Sequence, residues 1–399
     1  MRTLLKGNGA VARAVQMAGA QVIAAYPITP QTSIIEELAE MVADGRLNAR
    51  FIKVESEHSA MASCIAAASV GARTFTATSG QGLAFMHEML HWAAGSRLPI
   101  VMVNCNRALG APWSLFTEQT DSLSQRDTGW MQIYCQSAQE AFDAVIQSFE
   151  VSQRVLLPCM VLLDGFLLSH TFENLDIPEQ GTVDKFLGPL KLPHLLDLAR
   201  PATIGGLSDP DCYAAFRKKI QIAHDQALEA WADVGREWGE LTGRSYDVVD
   251  EYRLDDAELV LVASSTPALT AQVAIDALRQ RGIAAGLLRL RVFRPFPANA
   301  VRRALAGKHA VVVLDRNCSF GHHGIFYQET KSALYELPAA DRPPIRGVIA
   351  GLGGSDITPE DIEQMLLQGS AGERLEPVTW WKMLPEEEAV EAEPCAVTK

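Results

Sequence analysis

Phe51–Val54 is a short apolar run that Glu55, Ser56, Glu57, His58 and Ser59 interrupt, and small residues then extend from Ala60 to Gly71. A helix of such small side chains can lie very close to its neighbours. Thr74–Thr78 reads as a buried strand, and Ser79-Gly80-Gln81-Gly82 as a tight turn onto a further helix. Strand, helix, strand, helix in this order predicts parallel strands whose carboxyl ends share an edge, where open α/β sheets bind ligands.

The same alternation recurs along the chain. Leu4 to Pro30 predicts a βαβ opening: a turn at Gly7-Asn8-Gly9, a helix over Ala10–Ala18, and a strand over Gln21–Ala25 that Pro27 and Pro30 stop, leaving Thr29 in a fixed loop. Leu98–Asn104 predicts the next buried strand, with Arg107 just beyond it. A guanidinium there is either a structural ion pair or a clamp for a carboxylate, whose two oxygens its fork matches. Trp113 to Trp130 is polar and aromatic without a period; it predicts a loop closing over the site, tied down by ion pairs of Asp121, Arg126 and Asp127. Helix Ala138–Glu150 and strand Val155–Leu163 complete this sheet.

From Glu173 to about Pro201 proline and leucine predict a connecting arm, and Asp209–Leu241 a charged helix facing solvent or a partner. Strand Leu259–Ala263, helix Pro267–Arg281, strand Ala285–Leu290, a turn at Arg294-Pro295-Phe296-Pro297, helix Ala298–Ala306 and strand Ala310–Leu314 then predict a second parallel sheet covered on both faces. The expected division is an α/β domain over 1–172, an arm and helical segment over 173–250, a second α/β domain over 251–370 and a tail over 371–399. The acidic end from Pro385 is expected to be disordered. His322 and His323, adjacent in a glycine-bounded loop, read as part of a polar subunit contact.

Composition narrows the class. The chain has 399 residues, 48% hydrophobic and 21% charged, with no apolar run long enough to span a bilayer. It is expected to be a soluble protein without a membrane partner. A net charge of −13 argues against a nucleic-acid partner. The seven cysteines are scattered singly with no C-x-x-C spacing, which disfavours an iron–sulfur or zinc site on this chain and suits reduced thiols in a cytoplasm.

A set of motifs then matches in order over nearly the whole chain. They are Tyr26-Pro27-Ile28-Thr29-Pro30, Val54-Glu55-Ser56-Glu57-His58-Ser59-Ala60, Thr74-Phe75-Thr76-Ala77-Thr78 and Asn106-Arg107-Ala108-Leu109 followed by Ala111-Pro112. Further on come Ser124-Gln125-Arg126-Asp127-Thr128-Gly129-Trp130, Arg294-Pro295-Phe296-Pro297, Leu314-Asp315-Arg316-Asn317, Ser319-Phe320-Gly321 and Gly351-Leu352-Gly353-Gly354. With these the chain resembles the α-type subunit of the 2-oxoacid:acceptor oxidoreductases, the thiamine-diphosphate family that includes pyruvate:ferredoxin oxidoreductase.

The resemblance implies an α/β fold: a doubly wound domain of the thiamine-diphosphate pyrimidine type, followed by a transketolase C-terminal-like α/β domain devoted to assembly. It implies half of an active site. A β-type partner would hold the diphosphate and Mg²⁺ through a G-D-G motif that this sequence lacks. Iron–sulfur clusters would sit on partner chains only, γ-type and ferredoxin-like, and coenzyme A would accept the acyl group. Glu57 matches the glutamate that hydrogen-bonds the pyrimidine ring. The residues alone do not separate it from Glu55, which alternation would place on the same side. Thr29 and Arg107 match positions that hold the substrate carboxylate, and Gly80 and Gln81 are expected to border the cofactor.

Two departures bear on the substrate. Where pyruvate members have Ser-Gln-Gly the chain has Gly80-Gln81-Gly82, and where they have Arg-Ala-Leu-Ser-Ala-Pro it has Gly110 in place of the serine. The expected substrate is pyruvate or, if these losses enlarge the pocket at Gly110, a bulkier aryl or branched 2-oxo acid such as phenylglyoxylate. The alternative is that the glycines serve only turns. Other classes stay open: a silent scaffold subunit, or a self-contained transketolase-like enzyme. A nucleotide-binding electron-transfer protein would need a fuller glycine motif than Gly7-Asn8-Gly9.

Overall fold

A computed structural model describes residues 2–370 and 377–382. In chain order the first part comprises β1 (Arg2–Lys6), α1 (Gly7–Met17), β2 (Val22–Ala25), α2 (Thr32–Ala43), β3 (Arg50–Lys53), α3 (Glu57–Ser69), β4 (Thr74–Thr78), α4 (Gly80–Phe85), α5 (His87–Gly95), β5 (Val101–Asn106), α6 (Thr120–Leu123), β6 (Met131–Tyr134), α7 (Ala138–Val155) and β7 (Cys159–Asp164). A connecting region follows with β8 (Phe172–Asp176), α8 (Gln180–Leu187) and α9 (Pro210–Thr242). The second part contains β9 (Val249–Tyr252), β10 (Leu259–Ala263), α10 (Pro267–Gln280), β11 (Ala285–Leu290), β12 (Val292–Arg294), α11 (Ala298–Leu305), β13 (Ala310–Asp315), α12 (Ile325–Tyr335), β14 (Ile345–Ile349), α13 (Pro359–Gly369) and β15 (Val378–Trp380).

The first sheet runs β12-β6-β7-β5-β4-β2-β3, parallel except for β12. The strand order reverses about β2, since β3 lies on one side of it and β4 on the other. Such a reversal leaves a crevice at the carboxyl ends of the strands. Alanine-rich α3 crosses β2 and β4, with Ala60, Met61, Cys64 and Ala68 buried against them. The second sheet runs β15-β14-β13-β10-β11-β9, parallel except for the edge strand β9.

Several expectations are corrected. The opening is not a βαβ unit of the main sheet, because β1 pairs antiparallel with β8 in a separate two-stranded ribbon. The stretch after Glu173 is not a bare arm: β8 and α8 pack against α1 and α7. The front of α9 and one face of its rear half are solvated. Ala223, Ala227, Trp231, Val234 and Trp238 recur at helical spacing and are buried, giving one apolar stripe against α7. Strand β7 starts at Cys159 rather than Val155, because α7 runs through Val155. The region assigned to the tail holds β15, and Trp381 and Lys382 bond to Asp361 on α13. The acidic end from Pro385 lies outside the described residues.

The two sheets share buried ionic contacts. Glu140 on α7 receives both Arg289 nitrogens at 2.9 Å and Arg291 Nε at 2.7 Å, and all three side chains are buried. Arg291 also stacks on Tyr246, its Cζ 4.6 Å from the ring centroid. Burial alone would raise the Glu140 carboxyl, but Arg289 and Arg291 outweigh it and hold it below the usual carboxylate range. At the other end of the interface Asp164, the last residue of β7, accepts from Thr266 N at 3.1 Å and from Arg316 at 3.2 Å.

Candidate active site

The carboxyl ends of β2, β3, β4 and β5 deliver Thr29, Glu57, the first turn of α4 at Gly80–Gly82 and Arg107 to one edge of the sheet. Glu57 is the first residue of α3, behind the cap in which Ser59 N donates to Ser56 Oγ at 3.2 Å. The structure separates the two acids that the sequence left open. Glu55 is exposed and bonded to the Ser59 hydroxyl, whereas Glu57 is 7% exposed and its carboxylate receives no hydrogen bond among the described residues.

Gly82 is the floor beneath that carboxylate. A Cβ on Gly82 would come within 2.6 Å of Glu57 Oε1 and of Thr78 Oγ1, so only glycine lets α4 approach α3 this closely. Thr78 Oγ1, Ser79 Oγ and Arg107 Nε are also buried, without a hydrogen-bond partner among the described residues. A buried acid over a glycine cradle, ringed by unpaired polar atoms, suits a planar heterocycle with ring nitrogens.

Arg107 forms no carboxylate ion pair among the described residues. One terminal nitrogen donates to the Thr29 carbonyl at 2.7 Å and the other to Gln81 Oε1, and the guanidinium lies 5.5 Å from the Trp113 ring centroid. Each terminal nitrogen therefore keeps one N–H for a ligand. Burial pulls its pKa down, while Asp121 and Glu57 pull it back up. Thr29 itself is exposed; its loop is fixed from below, where Asn8 Nδ2 donates to the Pro30 carbonyl at 2.8 Å and Gln31 Nε2 to the Tyr26 carbonyl at 2.9 Å.

The side chains expected at the two substituted glycines meet protein, not open space. Gly80 has φ +48°, and a Cβ there would lie 3.0 Å from Arg107 Nε. Its absence makes room for the arginine. A Cβ on Gly110 would lie 3.1 Å from Trp113 Cβ and 3.4 Å from Gln81 Nε2.

Asp121 corrects another expectation. It makes no ion pair among the described residues; it is wholly buried and accepts from Gly80 N at 3.0 Å, Arg107 N at 3.1 Å, Asn104 Nδ2 at 2.9 Å, Asn106 Nδ2 at 2.7 Å and Ser122 N at 2.8 Å. Arg126 reaches Asp127 at 3.9 Å. Asp121 thus ties the turn after β4 to the end of β5. The sequence carried one hint, the asparagines alternating in a buried strand, which need a buried partner. Burial pushes the Asp121 carboxyl up to about 6 despite those donors. Lowering the pH through about 6 protonates it and costs some of these donors their acceptor, so the KM for an anionic substrate is expected to rise there; KM measured across that range checks this.

No group of His, Cys, Asp and Glu able to hold a metal ion is found among the described residues, and Cys64, Cys105, Cys135, Cys159, Cys212 and Cys318 are free thiols. Nor is any helix among them long and apolar enough to cross a membrane.

Fold and site define a class: a pyrimidine-type domain joined to a transketolase-C-like domain, with a buried acid at the sheet's carboxyl edge. The family model for the thiamine-diphosphate-binding part of pyruvate flavodoxin/ferredoxin oxidoreductases matches residues 13–235, and that for core domain II of pyruvate:ferredoxin oxidoreductase matches residues 257–362. The chain belongs to the thiamine-diphosphate-dependent 2-oxoacid:ferredoxin oxidoreductase family, as its catalytic α-type subunit, completed by a partner chain. It is 49% identical over 365 residues to the ketoisovalerate oxidoreductase subunit VorA of Pyrococcus abyssi, covering 91% of this chain and 92% of the relative. It is 48% identical over 387 residues to the pyruvate synthase subunit PorA of Methanothermobacter thermautotrophicus, covering 96% and 99%. Among solved structures it resembles the 2-oxoglutarate:ferredoxin oxidoreductase of Magnetococcus marinus, with TM-score 0.72 and 17% identity over 92% of this chain and 65% of that one. A split-gene transketolase follows with TM-score 0.56 and 13% identity, over 92% and 98%. These two likenesses bear on the fold alone.

Proposed function

We propose that this subunit oxidises a branched aliphatic 2-oxo acid of the ketoisovalerate class, with coenzyme A as acyl acceptor, inside a complex whose β-type, γ-type and ferredoxin-like chains carry the metal and the iron–sulfur clusters. The observation that carries a 2-oxo acid is the convergence of Glu57 and Arg107 at one sheet edge, the acid without a hydrogen-bond partner among the described residues and the guanidinium with N–H groups to spare; the branched class rests on the 49% identity to a ketoisovalerate oxidoreductase subunit. A second reading, pyruvate, is favoured by the 48% identity to a pyruvate synthase subunit. The relatives reported above are named for ketoisovalerate and pyruvate, so the aryl acid has no support from them.

Thiamine diphosphate, when bound, supplies the nucleophile for the 2-oxo carbon and the sink for the electrons left by departing carbon dioxide. Glu57 would hold the pyrimidine ring nitrogen and exchange a proton with it through a carboxyl oxygen. Gly80, Gln81 and Gly82 would form the cofactor's near wall. Arg107 would take the substrate carboxylate on its free N–H groups, with the Thr29 loop and Gln81 holding the guanidinium in plane. The positive charge of Arg107 favours an anionic substrate.

Arg107→Lys tests the clamp. Lysine offers a point charge in place of a planar fork and cannot serve Thr29, Gln81 and a carboxylate together. The complex carrying it is expected to fold and assemble while kcat/KM for 2-oxo acids falls about a hundredfold; unchanged kcat/KM would place the carboxylate elsewhere. The substrate class is tested by comparing kcat/KM for ketoisovalerate and pyruvate in the unaltered complex, where preference for pyruvate would favour the second reading.

A further inference from the structure

Trp113 presents an indole 63% exposed beside the Arg107 guanidinium, an unusual exposure for so large an apolar side chain. Its loop is anchored on both sides. Ala108 N donates to the Phe116 carbonyl at 3.1 Å, Ser114 Oγ to the Gly353 carbonyl at 3.4 Å, and Gly354 N to the Thr117 carbonyl at 3.0 Å. The Phe116 ring packs 5.1 Å from Phe166, and a Cβ on Gly354 would come within 2.4 Å of Phe116 Cβ. The second domain therefore holds this loop in place, and Trp113 contributes little to that anchoring. What the loop fixes is the indole's position over the guanidinium.

Resting on the reading that Arg107 holds the substrate carboxylate, we propose that Trp113 is the specificity-determining residue. Its indole walls the space beside the bound carboxylate and favours a branched aliphatic side chain over the methyl group of pyruvate. A carboxylate on Arg107 lies in the guanidinium plane, so the first side-chain carbons of a 2-oxo acid fall next to whatever packs on that group. Here that is an apolar ring. Gly110 is the second half of the device: its Cβ position lies 3.1 Å from Trp113 Cβ and 3.4 Å from Gln81 Nε2, so a side chain there shifts one of these neighbours by a few tenths of an ångström. The near-equal identities to a ketoisovalerate enzyme and a pyruvate enzyme, 49% and 48%, fit a preference set by a few local residues and not by overall similarity.

The test uses the assembled complex with Trp113→Leu, Trp113→Phe or Gly110→Ser, and reads kcat/KM for ketoisovalerate and for pyruvate. Trp113→Leu is expected to lower the ketoisovalerate-to-pyruvate ratio about tenfold or more, chiefly through KM for the branched acid, as lost apolar contact does. Trp113→Phe should retain most of the ratio, and Gly110→Ser should lower it by a smaller factor through a slight shift of Trp113. An unchanged ratio in Trp113→Leu, or an equal loss for both acids as a contact with a partner subunit would produce, overturns the proposal. The two ideas fail separately: an unaltered complex that oxidises no 2-oxo acid defeats the functional reading, whereas turnover with a ratio indifferent to Trp113 defeats only this inference.

Discussion

Replacing Glu57 by glutamine in the assembled complex is expected to lower 2-oxo acid turnover by about 10²- to 10⁴-fold, the range general acid–base groups supply. Glutamine keeps the volume above Gly82, where the Cβ position lies 2.6 Å from Glu57 Oε1, so packing survives while the exchangeable carboxyl proton is lost. Assembly and thermal stability should therefore stay near those of the unaltered complex. Single-turnover release of carbon dioxide is the measurement, since it reports chemistry separately from electron transfer. Full activity in this variant would instead support a scaffold role for the subunit.

The largest structural effect is expected from Glu140→Ala. That change leaves Arg289 and Arg291, both essentially without solvent contact, facing an empty acceptor site between the two sheets. Breaking a buried ion pair from one side costs about 3–5 kcal/mol, because the remaining charge is desolvated and uncompensated. Asp250, the Tyr134 carbonyl, Gln147 and the Tyr246 ring hold part of each arginine and should keep the cost within that range. Thermal unfolding of the complex checks it. Arg236→Ala, which removes an exposed pair with Asp233 on α9, should leave the midpoint unmoved.

The candidate site was legible in the sequence where its residues follow directly on a strand. Thr29, Glu57, Gly80, Gln81 and Arg107 each sit just past a predicted strand, so strand and turn signals place them at one sheet edge, while their roles and the choice of Glu57 over Glu55 rested on the family resemblance. The supporting residues were not legible, because their partners are remote in sequence. Asp121 serves Gly80 and Arg107 from another loop, and Asn8 fixes the Thr29 loop from α1. Arg316 and Thr266 meet Asp164 only once the two sheets are packed. Even so, arginines at 289 and 291 within the apolar run of β11 and β12 were a signal that a buried acid must face them. Strand β12, three residues long, is too short for any periodicity to register, and it carries the second part of the chain into the first sheet.

The expectation that the second domain serves assembly alone also needs widening. Its glycine loop, at Gly351–Gly354, bonds the segment from Ser114 to Thr117 that positions Trp113, and Gln119 N donates to the Arg316 carbonyl at 2.9 Å. Only glycine at 354 allows Phe116 to approach so closely. The site is thus built by one domain and braced by the other.

The decisive measurement is release of carbon dioxide from 2-oxo acids labelled at the carboxyl carbon, by the purified complex with coenzyme A and an artificial electron acceptor. Release is expected with ketoisovalerate, abolished by Glu57→Gln and strongly reduced by Arg107→Lys. No release from ketoisovalerate, pyruvate or any other 2-oxo acid, or release indifferent to both substitutions, would contradict the proposed function.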